Sequence, residues 1–71
     1  MYRGTILYFS EDGDVAHIWC ATAANPLFRA RKSDFPGLRL ALQVGKEVVF
    51  DGETSDGQWV VSLHLASAHE A

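Results

Sequence analysis

At 71 residues the chain has room for one small domain, which on folding buries only about 60% of its unfolded surface and so has a thin core. Its make-up, 48% apolar and 21% charged without a low-complexity stretch, excludes a disordered or fibrous chain. A net charge of −3 excludes binding driven by an overall basic surface, yet allows a local basic patch.

The elements read in chain order as short strands between turn signals. Residues 2–9, with Tyr2, Ile6, Leu7, Tyr8 and Phe9, form a β-favouring run. Ser-Glu-Asp-Gly-Asp at 10–14 is a turn, with Gly13 free to take positive φ. Val15 to Cys20 is a second strand, which makes residues 2–20 a hairpin, and 21–26 is a loop. In the third strand, 27–32, Phe28 and Ala30 alternate with Arg29 and Arg31, so the two arginines share a face. Phe35-Pro36-Gly37 is a break. Over 38–44 the alternation of Leu38, Leu40, Leu42 and Val44 favours an extended segment, although Leu and Ala also suit a helical turn. Gly45-Lys46 opens a fourth strand at 47–53, and Asp56-Gly57 signals a hairpin. The fifth strand, 58–65, sets Trp59, Val61, Leu63 and Leu65 on one face. Five strands in so short a chain favour an all-β closed barrel over residues 1–66, because closure removes exposed edges; 67–71 is a short tail.

Other functions are disfavoured. Cys20 is alone, which points to a reducing compartment and a buried, inert thiol. The opening residues carry no apolar signal core, and no run approaches the ~20 apolar residues that span a bilayer, so the expected location is cytoplasmic, without a membrane partner. His17, His64 and His69 are scattered, and no nucleophile motif or phosphate-cradling glycine loop is present. One cysteine with His64, His69 and Glu70 matches no structural zinc pattern. No catalytic residue, metal or cofactor is expected.

The run Gly4-Thr5-Ile6-Leu7-Tyr8-Phe9-Ser10-Glu11-Asp12-Gly13, followed without a gap by Ile18, resembles the opening of the bacterial cold-shock proteins. Leu42, Gly45, Val48, Phe50, Ser55, Gly57, Val60, Val61 and Leu63 match that family's closing pattern, and the likeness covers about residues 3–65. It implies a five-stranded OB-fold barrel that binds single-stranded RNA or DNA by stacking bases on exposed rings. The binding motifs themselves depart from the family. Gly13-Asp14-Val15-Ala16-His17-Ile18 stands where the family has Lys-Gly-Phe-Gly-Phe-Ile, so His17 alone keeps a flat ring. Phe28-Arg29-Ala30-Arg31-Lys32 stands where it has Val-Phe-Val-His-Phe, which exchanges three rings for three cations. Tyr8 keeps the first-strand aromatic, and Leu7 replaces a lysine beside it.

The resemblance makes Tyr8, His17, Arg29, Arg31, Lys32 and Trp59 the expected nucleic-acid-binding residues. A planar guanidinium stacks on bases and pairs with phosphates, which offsets part of the lost aromatic surface. The same arginines would otherwise form a solvated strand face with stems over apolar neighbours. Phe9, Phe28 and Phe50 are expected in the core, and Trp19 and Trp59 are too large for both to be buried in so small a barrel. An exposed Trp serves a ligand or seals a subunit contact. The competing expectation is therefore a protein-interaction or homodimer module that uses Trp19 and the Leu38, Leu40, Leu42 segment.

Overall fold

The computed structural model describes residues 1–53 and 57–66; the turn expected at 54–56 and the tail at 67–71, with His69 and Glu70, lie outside the described residues. The strands are β1 (Tyr2–Phe9), β2 (Val15–Trp19), β3 (Leu27–Arg31), β4 (Glu47–Gly52) and β5 (Val60–Leu65). They form one antiparallel sheet in the order β3-β2-β1-β4-β5. No helix among the described residues is long and apolar enough to cross a membrane.

β1 serves two partners. Its first half pairs with β4, its second half pairs with β2, and Thr5 faces both Glu47 and Trp19. This double duty brings backbones close at Gly4, where a Cβ would overlap the Trp19 carbonyl oxygen and stand 2.8 Å from Ile18 Cγ2. Neither neighbour is a flexible side-chain tip. Gly4→Ala is expected to destabilise the fold by about 1–3 kcal/mol, the usual range for overpacking. A lowered urea midpoint with an unchanged slope would show it, and an unchanged midpoint would refute the close approach.

Alternation sorts the strands as expected in the middle of the sheet. Ala16, Ile18, Phe28 and Ala30 are fully buried, while Val15, His17 and Trp19 on β2 and Leu27, Arg29 and Arg31 on β3 face outward. Phe28 and Phe50 meet edge to face at 5.0 Å between centroids, and Tyr2 lies 5.0 Å and 5.6 Å from them. Phe9 packs only at the margin of this core. Cys20 is buried, as expected.

Two stretches differ from the expected pattern. Residues 38–44 are not extended: a 3-10 turn at Pro36–Leu38 continues through Ala41 and Leu42 N–H groups, both donating to the Leu38 carbonyl. Local hydrogen bonds take the place of a ladder there, so Leu42 is buried while Leu40 and Val44 stand in solvent. In β5 the register shifts between Asp51 paired with Ser62 and Gly52 paired with Val60. Val61 is thus the extra residue of a bulge and stands exposed; Leu63 and Leu65 keep the expected inward face, and Val60 joins them in place of Trp59 and Val61.

The two edge strands meet at one point. Arg29 and Trp59 form a parallel bridge, with the Arg29 N–H donating to the Gln58 carbonyl at 3.0 Å. Among the described residues the ladder otherwise stays open, so the sheet is not closed into the barrel that was expected.

Candidate functional site

A second bulge builds the site. Ile6 faces the core, so strict alternation would turn Tyr8 inward as well. The β1–β2 register shifts between Ile6 and Tyr8, which makes Leu7 the additional residue and brings Tyr8 out opposite His17. Tyr8 is 50% exposed, and its ring lies on the His17 ring with centroids 4.3 Å apart and planes 10° apart.

His17 in turn pairs across the sheet with Arg29, and Arg29 bridges to Trp59. Tyr8, His17, Arg29 and Trp59 therefore form one row across β1, β2, β3 and the approach to β5. Arg31, two residues beyond Arg29, shares that face. The guanidinium carbons of Arg29 and Arg31 lie 4.4 Å and 4.2 Å from the centre of the same Trp59 indole. Arg29 Nε also donates to the Gly57 carbonyl at 3.2 Å. One ring and one carbonyl thus hold two planar cations in place, which lowers the entropy lost when they engage a ligand.

The electrostatics favour an anion. The ion pairs among the described residues join Arg3 to Glu47 and the N-terminal amine to Asp51, so among those residues no carboxylate lies within ion-pair distance of Arg29 or Arg31. No outward position of β2 or β3 carries an acid. On β4, Glu47 stands opposite Thr5. The Arg3 hydrogen bond at 2.7 Å, aided by its charge, neutralises that carboxylate and holds it below its usual titration range.

Beside the row lies a concavity of about 550 Å³ lined by Tyr8, His17, Asn25, Leu27, Arg29, Gly57 and Gln58. Gln58 takes positive φ and is buried, and its amide Nε2 donates to the carbonyls of Asn25 at 2.9 Å and Leu27 at 2.8 Å. That side chain ties the 21–26 loop to the start of β5 and shapes the wall.

Of the six residues expected from sequence, the structure gathers five: Tyr8, His17, Arg29, Arg31 and Trp59. Lys32 leaves the sheet face. It begins the 3-10 turn Lys32–Asp34 and lays its ammonium 4.4 Å from the centre of the Phe9 ring. Sequence reading missed Asn25, Leu27, Gly57 and Gln58 as lining. Leu27 alone carried a signal, since the alternation that pairs Arg29 with Arg31 extends back to it. No family model, no curated protein and no solved structure matches the chain, so the chemistry of this face has to be judged from its own residues.

Proposed function

We propose that this chain is an OB-type barrel of the cold-shock kind, without catalytic activity, that binds single-stranded RNA or DNA weakly and without strong base readout. The observation that carries the reading is the row Tyr8–His17–Arg29–Trp59, in which a stacked ring pair adjoins two guanidiniums that have no carboxylate partner among the described residues. An exposed ring accepts any base, whereas guanidiniums attract phosphate, so the pair of features suits a single strand whose bases are free. The bridge between β3 and β5 supports a barrel closed in the OB manner. Lys32 serves at most the rim of this site.

Anisotropy titration of short labelled RNA and DNA oligomers at two salt concentrations tests the reading. Each phosphate neutralised on a single strand contributes a slope of about −0.7 to log affinity against log salt. With Arg29 and Arg31 engaged the slope should be about −1.4, and Arg29→Ala or Arg31→Ala should each flatten it by about 0.7. No saturable binding at low salt would overturn the proposal.

The alternative, a protein-interaction or homodimer module, is favoured by a different observation: Leu40 and Val44 stand exposed on the 36–45 loop, away from the row. Light scattering distinguishes the two. A dimer dispersed by Leu40→Ser with oligomer binding absent would support the alternative.

A further inference from the structure

The row leaves one large ring unused. Trp19 is the last residue of β2, two positions after His17 and on the same face, and it is 45% exposed. Its cross-strand partners are Leu27 on β3 and Thr5 on β1. Leu27, itself exposed, also lines the concavity with Tyr8, His17 and Arg29. The surface is therefore continuous from the Arg29–Trp59 end, across the Tyr8–His17 pair, to Leu27 and Trp19.

We infer that Trp19 is a second stacking platform for the same single strand, so that the face engages an extended run of bases. This inference rests on the nucleic-acid reading above. Its geometry selects the form of the ligand. Residues two apart on a strand lie about 6.6 Å apart, whereas bases stacked within a duplex strand rise only about 3.4 Å. Bases seated on His17 and on Trp19 must therefore be unstacked from each other, which a flexible single strand allows and a duplex does not.

Charge and area both favour nucleic acid over a protein as the occupant. Outward positions of β2 and β3 hold cations and rings but no acid, which suits a polyanion. The large exposed apolar side chains of the surface are Leu7, Tyr8, Trp19 and Leu27, none more than half exposed. That group is bounded by His17 and Arg29 on one side and by the Arg3–Glu47 pair on the other, so it is a narrow apolar strip rimmed by charge and not the broad apolar patch that marks a protein interface.

The test compares oligothymidylates of about four and about eight nucleotides, the lower part of the range covered by one OB fold. Trp19→Ala is expected to weaken the longer oligomer by about 5- to 150-fold, the value of one stacked base, and to leave the shorter one within about twofold. Trp19→Phe should restore most of the loss. In Trp59→Phe, which leaves Trp19 as the sole indole, the longer oligomer should quench the emission and the shorter one should not. Equal binding of both oligomers by wild type and Trp19→Ala, with unquenched Trp19, overturns the inference while leaving the first site intact. Failure of the wild-type chain to bind either oligomer overturns the nucleic-acid reading and this inference with it. Loss of a dimer in Trp19→Ala with oligomer affinity unchanged assigns the Trp19 surface to a second copy of the chain, and likewise overturns it.

Discussion

Replacing Tyr8 and His17 together with alanine is expected to weaken binding of a short single-stranded oligomer by about 5- to 150-fold, the equivalent of 1–3 kcal/mol for one stacked base. The two rings lie parallel at 4.3 Å, so a base on the exposed ring rests on a two-ring stack. That contact has a further consequence for the single variants. Removing either ring changes the platform for the other, so their separate losses should not add; groups in direct contact commonly couple by about 0.5–3 kcal/mol. Both residues lie on the outer face, and Tyr8 is half exposed, so thermal stability should move little while affinity falls. The measurement is a double-mutant cycle of oligomer affinity alongside circular dichroism melting. Wild-type affinity in the double variant would remove the ring pair from the binding surface.

Phe28→Ala is expected to have the largest effect on stability. Phe28 is fully buried, lies 5.0 Å from both Phe50 and Tyr2, and occupies the strand between Leu27 and Arg29. Truncating a buried Phe costs about 3–5 kcal/mol, because the lost transfer energy is joined by a cavity. Stabilities run at about 0.05–0.15 kcal/mol per residue, which gives a chain of this length about 4–11 kcal/mol in total. The substitution therefore removes from about a quarter to all of the margin, and a largely unfolded chain at ambient temperature is a permitted result. Urea unfolding followed by tryptophan emission checks it. A loss below about 1 kcal/mol would mean that the three-ring cluster does not anchor the sheet, since even mild core truncations such as Ile→Val reach that size.

The fold was legible in the sequence where strands keep their period. On β3 the run Leu27-Phe28-Arg29-Ala30-Arg31 alternates without interruption, and its faces came out as the pattern implies. Turn chemistry was equally clear at Gly13, which takes a φ of 79° in the β1–β2 turn. The pattern misled where a single inserted residue shifts the phase, as at Val61, because a bulge is decided by the pairing of two strands and leaves no mark in either one. It misled again over 38–44, where leucines at period two entered a turn closed by bonds to the Leu38 carbonyl. The six expected site residues came from resemblance, and five share a face. Lys32 was misplaced because the strand ends at Arg31. The holding of Arg29 by Trp59 and Gly57 could not be read from positions about thirty residues apart, and neither could the wall made by Gln58.

The bridge between Arg29 and Trp59 puts the proposed ligand contacts on the seam where the sheet's two edges touch. Most small domains keep cohesion and recognition on separate parts of the surface. In the proposed binding mode the same pair would serve both, so a strand of nucleic acid lying across Arg29 and Trp59 would also clamp β3 to the start of β5. Binding to the folded form alone adds about 2.7 kcal/mol of stability when the ligand stands at a hundred times its dissociation constant, a large increment for a domain with so thin a core. Under that proposal occupancy and cohesion would be one linked equilibrium, with the ligand acting as a removable brace across the seam.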